Sequence, residues 1–462
     1  MQKAQEYSEG RPWNVSGPPV GLFHPIFDQF IDYFNDPSPN YRTASSADDV
    51  NNMMPSTDEV FSFMRASSEF YEEEQSRNPG RMETVLPALR SLLGVDLLRV
   101  RNVDQTEPDA QVTTPTSIGT DGLISVFEFK LEPGIGGDAE TQAQRSYGRT
   151  CSLSKVSTID HLERQTHVLV QYEPILSRSC CPCFLVGISG PWITVLGAVY
   201  VQKVIVQHLV GPLYLSPQLL HPTRMMDEAL RLFYALRRSL RELRGYYLHL
   251  PLQVTISRLF PHAQSYDDPT TGITINLGYL TLLSGESRAV YLAKVDDRHV
   301  VVKFVSTYSI RAHNLLAEKG LAPEIIYDGT NKPRHGDLFM IVMEYVKGKT
   351  LTQFLQSSPS QERLDAVLTL VTTAIELLHA EGLVFGDLRT PNILVGEDGH
   401  VKIIDFDWAG VDGEHQYPFI VGNGIEWANG VGPLAIMYKK HDLFMLEKMK
   451  ENIRRGDDPG VW

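Results

Sequence analysis

Cysteine is scarce in this chain: four residues in 462, three of them crowded into Cys180-Cys181-Pro182-Cys183. That number and spacing exclude a disulfide framework, and no paired Cys/His set at zinc spacing accompanies them, so buried thiols are expected. Positive charge is also short, with 42 Lys and Arg against 56 Asp and Glu and a net charge of −14. Nothing in that total favours nucleic acid. The opening residues, MQKAQEYSEGRPWNV, lack an apolar signal core, so an intracellular place in cytoplasm or nucleus is expected. A membrane span is missing too. The uncharged stretch Ser179–Gln202 is long enough for one, but Pro182, Gly187, Gly190-Pro191 and Gly197 cut it into the β-branched and aromatic pieces FLVGI, WITVL and AVYV. Buried core strands are expected there instead.

What is present is ordinary for a globular protein, 42% hydrophobic and 21% charged, and the length allows two or three domains. Residues 1–20 read as disordered. Apolar spacing predicts helices over His24–Phe34, Asp58–Gln75 and Met82–Leu93, the last two separated by a break at Asn78-Pro79-Gly80. A β region follows, with strands over Leu97–Val103, Asp109–Thr114 and Leu123–Leu131, a Gly-rich loop at Gly134–Asp138, a helix from Glu140 and a strand over His167–Gln171. Thr223–Arg244 is a long amphipathic helix, apolar along Met226, Leu230, Phe233, Leu236, Leu240 and Leu243. Its other face carries Arg231, Arg237, Arg238, Arg241 and Arg244, a solvated face on a helix joining two domains. Strands are expected over Thr274–Leu283, Arg288–Val295 and His299–Val305, and helices over Ser309–Lys319 and Leu364–His379.

The richest stretch is Leu383–Gly410, LVFGDLRTPNILVGEDGHVKIIDFDWAG. Asn392–Val395 and Val401–Ile404 are apolar runs separated by Gly396-Glu397-Asp398-Gly399, a β-hairpin signature. Asn392 and Asp405 fall at the strand ends, and Asp387 lies in the loop before them. A loop carboxylate that orients a hydroxyl, beside an amide and a carboxylate that hold Mg²⁺ on nucleotide phosphates, is what phosphoryl transfer needs.

These residues resemble the catalytic and metal-binding loops of protein kinases, D-L-x-x-x-N followed by D-F-G. Phe385-Gly386-Asp387 stands where the family has H-R-D, and Asp405-Phe406-Asp407 where it has D-F-G. The whole set, with Leu388, Arg389 and Trp408, looks most like the fungal-type protein kinase-like domain. The resemblance implies Asp387 as base, Asn392 and Asp405 as Mg²⁺ ligands, and Lys303 in Val300-Val301-Val302-Lys303-Phe304 as the phosphate contact. It also implies an ATP pocket bordered by Met343, with Glu344 and Val346 offering backbone groups to adenine. Asp442 is expected to anchor the catalytic loop. The phosphate loop is reduced to Gly285 within Ser284–Ser287. His313 stands where the helix glutamate that pairs the lysine belongs, with Glu318 the nearest acid. Gly386 replaces the arginine that would bind an activation-loop phosphate, so activity independent of such phosphorylation is expected.

A second constellation is Asp109 followed by Glu128 and Lys130, the latter two on one strand face. Two carboxylates can hold a divalent metal and a lysine can stabilise a pentavalent phosphate. This resembles the PD-(D/E)-x-K nuclease superfamily, with Gln142 and Tyr147 at polar helix positions and Glu83 as an upstream acid. A solvated Glu/Lys pair accounts for the pattern equally well.

The expected architecture is α/β and α+β. Residues 1–79 form a helical or disordered region, 80–215 a nuclease-like α/β region, 216–250 a linking helix, and 251–462 a two-lobed protein-kinase-like domain with a short C-lobe. The expected activity is ATP- and Mg²⁺-dependent phosphoryl transfer to a hydroxyl on protein Ser or Thr. A pseudokinase module, a small-molecule kinase and a nuclease regulated by the kinase-like part stay open. A protein substrate is the expected partner, nucleic acid is a partner only through the N-terminal region, and no membrane is expected.

Overall fold

The computed structural model describes residues 16–36, 53–68, 79–98, 108–130, 138–152, 172–216, 222–283, 288–422 and 424–456. The chain divides into two compact units, Met1–Ala263 and Gln264–Trp462.

The first unit is built on a mixed sheet of β1 (Ala110–Pro115), β2 (Asp121–Lys130), β3 (Cys183–Ser189), β4 (Trp192–Tyr200) and β5 (Val204–Tyr214), in that spatial order. Only β2 and β3 run parallel, because the chain crosses over between them through a helix, α4 (Ala139–Ser152). Strands β3 and β4 are the antiparallel hairpin expected in the uncharged stretch, buried along nearly their whole length. Among the described residues no helix is long and apolar enough to cross a membrane. The four cysteines are free and buried, as their scarcity implied.

Among the described residues three α-helices precede the sheet. They are α1 (Ile26–Asn35), α2 (Thr57–Ser68) and α3 (Pro79–Leu93). The break expected at Asn78-Pro79-Gly80 is instead the start of α3, since proline lacks only an N–H that the first turn leaves unused. Helix α1 buries Ile26, Phe27 and Phe30. Phe27 meets Phe184 of β3 edge-on at 5.4 Å between centroids, an aromatic contact of about 0.5–1.5 kcal/mol beyond its buried area. Gly197 permits this approach, because a Cβ there would lie 2.6 Å from the Phe27 ring.

The long helix α5 (Pro222–Leu248) was expected as a link between domains. It lies within the first unit, where it packs on α1, α2, α3 and the β1–β2 edge. Its arginines are drawn into local bonds: Arg238 to Glu242 at 3.1 Å and over the Tyr33 ring, Arg231 to Asp227 at 3.2 Å, and Arg237 to the Ser91 carbonyl at 3.4 Å. The arginine face expected to be solvated is thus partly committed to the fold.

The second unit begins with a ribbon of β6 (Ser265–Asp267) and β7 (Thr274–Asn276). The single strand expected over Thr274–Leu283 is therefore two. Leu277 breaks it by giving its N–H to the Gln264 carbonyl, and β8 (Gly278–Leu282) restarts in another sheet. That sheet has the order β11 (Ile325–Asp328), β12 (Phe339–Glu344), β10 (Arg298–Val305), β9 (Ala289–Val295), β8. Helix α6 (Ile310–Ala317) follows β10. Beyond the sheet come β13 (Gly348–Thr350), α7 (Leu351–Gln356), α8 (Gln361–Ala380), β14 (Leu383–Val384), the hairpin β15 (Ile393–Gly396) and β16 (Val401–Ile403), β17 (Gly410–Val411) and α9 (Lys439–Arg455). The expected hairpin forms, with Ile393 opposite Ile403. A cluster including Val371, Ile375, Leu378, Phe385, Ile393, Ile403 and Phe406 binds α8, the loop after β14 and the hairpin together.

Residues 1–15, the strand readings beyond Leu98 and at His167–Gln171, the Gly-rich segment 131–137 and residues 284–287 with Gly285 lie outside the described residues.

Candidate active site

Lys303 sits on β10, a central strand bonded on both sides, so its backbone is fixed. Strand alternation puts Val301, Lys303 and Val305 on one face, opposite Met343 and Ile341 of β12. Val305, Ile341 and Met343 form a small cluster there with Tyr308. Met343 thus borders the face on which Lys303 stands. At Glu344 the backbone N–H is already given to the Glu324 carbonyl at 2.9 Å, so it is not a donor for adenine. Val346 is half-buried just beyond β12.

The Lys303 ammonium, 7% exposed, reaches Asp405 at 2.6 Å and also pairs with Asp407. Burial alone would lower the lysine's pKa, but the two carboxylates outweigh it and raise it. Asp405 is also held by Arg288 at 2.9 Å. Burial works against its charge, yet Lys303 and Arg288 prevail and hold its carboxyl down to about 2. Asp407 is half-buried; desolvation and the neighbouring Asp405 push its carboxyl up, against the pull of Lys303. Asp405 adopts φ +74°, a left-handed conformation unusual for a non-glycine residue.

Asp387 is 3% exposed. Arg389 grips it with both prongs, Nε to Oδ1 at 2.6 Å and Nη2 to Oδ2 at 2.8 Å. Asn392 donates Nδ2 to the Asp387 carbonyl at 2.9 Å and to its Oδ2 at 2.8 Å. Facing two oxygens, that end of the amide must be the NH₂, which leaves Oδ1 as the atom able to ligate a cation. The Ile404 N–H donates to the Asn392 carbonyl at 2.9 Å and ties the two loops together.

Asp442, 1% exposed, carries the catalytic loop as expected. It accepts the N–H groups of Phe385 at 2.8 Å and Gly386 at 2.9 Å, and lies 3.0 Å from His379 Nε2. Gly386 has φ +84°, and a Cβ there would fall 2.2 Å from the Met437 side chain. The arginine of an H-R-D loop is therefore excluded at this backbone position.

His313 occupies the helix position where the lysine-pairing glutamate was expected. It is fully buried, stacked on Phe406 at 4.5 Å, with Nε2 2.7 Å from the Pro323 carbonyl and Nδ1 2.7 Å from the Tyr308 hydroxyl. A carbonyl only accepts, so Nε2 carries the proton and Nδ1 accepts from Tyr308. Burial lowers its pKa to about 4 and keeps the ring neutral. Glu318 caps the far end of α6, exposed, and is not a partner for Lys303.

In the first unit the β1–β2 pairing brings Asp109 next to β2. Its Oδ2 accepts the Phe129 N–H at 2.8 Å, beside Glu128. Glu128 is 4% exposed, and burial followed by the charge of Asp109 pushes its carboxyl up to about 8. Lys130, two residues on, acts electrostatically on Glu128 in the opposite sense. Ser146 of α4 donates to Glu128 Oε1 at 3.0 Å, a contact with no signal in the sequence pattern. Tyr147, expected at the site, turns into the core and bonds the Cys181 carbonyl at 2.8 Å, because its ring lies on the apolar side of α4. Gln142 is half-buried on the same helix, and Glu83 lies on α3. Among the described residues no group of three or more His, Cys, Asp or Glu stands together as a metal cluster.

Comparison with known proteins bears on the second unit. Residues 282–422 match the model of the protein kinase domain. The chain is 34% identical over 131 residues to "Probable serine/threonine-protein kinase mkcF" of Dictyostelium discoideum, covering 26% of this chain and 19% of that protein. It is 30% identical over 150 residues to serine/threonine-protein kinase AGC1-5 of Arabidopsis thaliana (28% and 24%), and 36% over 72 residues to human serine/threonine-protein kinase PAK 4 (15% and 12%). The chain therefore spans less than a quarter of each relative's length. Among solved structures, the Cydia pomonella granulovirus kinase PK-1 aligns with a TM-score of 0.33 and 17% identity, over 38% of this chain and 67% of that one. The second unit thus carries a protein-kinase-like domain.

Proposed function

We propose that the second unit is an ATP-dependent phosphotransferase acting on protein serine or threonine hydroxyls. One observation carries the reading: the ammonium of Lys303 meets Asp405 at 2.6 Å, and the Ile404 N–H beside Asp405 ties that loop to Asn392, which is bonded to Asp387. The donor set suits Mg²⁺, because Asp405 is kept ionised and Asn392 has only a carbonyl oxygen to offer, both hard oxygen ligands. The metal, when bound, would neutralise charge on the nucleotide phosphates. Lys303 would contact those phosphates. Asp387 would orient the acceptor hydroxyl and take its proton. Arg389, bonded to both oxygens of Asp387, keeps that carboxylate aimed. Fungal-type kinship is part of this proposal and rests on Gly386-Asp387-Leu388-Arg389 and Asp405-Phe406-Asp407-Trp408. Cytoplasm or nucleus is the compartment it suits. The test is thermal: Mg-ATP should raise the melting temperature of the full chain well above Mg²⁺ alone, and γ-phosphate should then reach Ser/Thr peptides. No shift with Mg-ATP would remove the enzyme and leave an interaction module.

A second reading concerns the first unit, a metal-binding nuclease-like site on Asp109, Glu128 and Lys130. The adjacency of Asp109 to Glu128 supports it. A dication bridging both would have to displace the proton that Glu128 holds at neutral pH. Without nucleotide, Mn²⁺ should bind the full chain, and Glu128→Gln should cut that binding about 10–100-fold. Equal Mn²⁺ affinity in wild type and variant would leave Glu128 a satisfied core carboxyl, and with it no nucleic-acid partner.

A further inference from the structure

The Lys303 ammonium is nearly sealed from water, and an ammonium so placed needs a standing counter-charge. Protein kinases supply it from a helix glutamate, and α6 has none to give. His313 is neutral, with one nitrogen donating to Pro323 and the other receiving from Tyr308. Glu318 is exposed at the end of the helix. Among the described residues the ammonium meets Asp405, Asp407 and the face of the Tyr308 ring at 5.3 Å. Asp405 is the carboxylate that a metal would draw away. Asp407 stands where a glycine closes the usual motif, and the phosphotransfer reading gives it no task.

We propose that Asp407 is the positioning residue for Lys303, replacing the absent helix glutamate when Asp405 turns to metal. The backbone around it is built to hold that place. The Phe406 carbonyl accepts the Ser309 N–H at 3.1 Å, and the Phe406 ring stacks on His313. The Asp407 carbonyl accepts the Thr307 hydroxyl at 3.0 Å. The motif is thus tied at successive residues to the segment that opens α6. The counter-charge for the lysine comes from the metal-binding loop itself, so Lys303 stays placed without a swing of α6. This removes a point at which kinases are commonly switched.

The inference rests on the phosphotransfer reading, and a double-mutant cycle on Mg-ATP affinity of the full chain separates the two. Asp407→Asn keeps the shape and removes the charge. It should weaken Mg-ATP binding about tenfold, as should Lys303→Met, each the equivalent of about 1.4 kcal/mol. If the pair acts as a unit, the double variant is also about tenfold weaker, not a hundredfold. Asp407→Glu should recover most of the affinity, which a purely structural loss would not allow. Melting without nucleotide reports whether each variant folds. Should Asp407→Asn fail to fold, Asp407→Ser takes its place in the cycle. Wild type that binds no Mg-ATP overturns the phosphotransfer reading. Wild type that binds, with Asp407→Asn equal to it or with additive losses in the cycle, overturns the role of Asp407 alone.

Discussion

Asp387→Ala should leave Mg-ATP affinity nearly unchanged and lower turnover on the order of 10²-fold or more, the scale of a lost catalytic base. The expectation follows from where the carboxylate is held. Arg389 and Asn392 occupy it from the catalytic-loop side, and Asp442 supports the loop beneath by accepting the Phe385 and Gly386 N–H groups. None of these bonds involves Lys303 or Asp405. Removing the side chain therefore strips the acceptor end of the cleft and spares the phosphate end. Single-turnover phosphotransfer alongside equilibrium nucleotide binding measures both. A large fall in affinity would mean that Asp387 serves the nucleotide, contrary to the assignment.

Asp405→Ala should do the reverse and erase the Mg²⁺ dependence of nucleotide binding. Lys303 and Arg288 hold the Asp405 carboxyl well below the usual carboxylate range. Its loss removes the ligand for the metal and leaves those two cations with less negative charge between them. Mg-ATP affinity should fall about 10–100-fold, a range set by lost metal-site groups. Binding of ATP in EDTA should hold or improve, because free ATP then meets a more positive cleft. The ratio of the two affinities, by calorimetry, should approach one. A variant that keeps the wild-type ratio would move the metal off Asp405.

Much of the β15–β16 hairpin was legible because its information is local. Two apolar runs and a Gly-bounded turn specify β15 and β16, and that register alone places Asn392 and Asp405 at neighbouring strand ends. The uncharged stretch from Ser179 was legible for the same reason, since its Gly and Pro spacing suits strands and not a spanning helix. The errors arose where two nearby segments competed. Leu277 looked like mid-strand, but its N–H pairs with Gln264 and splits the strand. The helix α5 looked like a link because its polar face seemed free. In the fold, Tyr33 and Glu242 take up Arg238.

The sequence by itself determined the elements, the strand faces and the chemical inventory of the cleft, because periodicity of 2 or 3.6 and turn chemistry act over a few residues. Tertiary structure alone decided which charges meet. Lys303 finds Asp405 and Asp407 more than a hundred residues away, Asp442 reaches back to Phe385, and Asp109 to Phe129. The partner of a buried ion is whichever opposite charge the closed fold leaves within hydrogen-bond reach, and a one-dimensional pattern carries no such distance. That is why the helix glutamate could be read as missing from the sequence, while the carboxylate standing in its stead emerged only from the geometry.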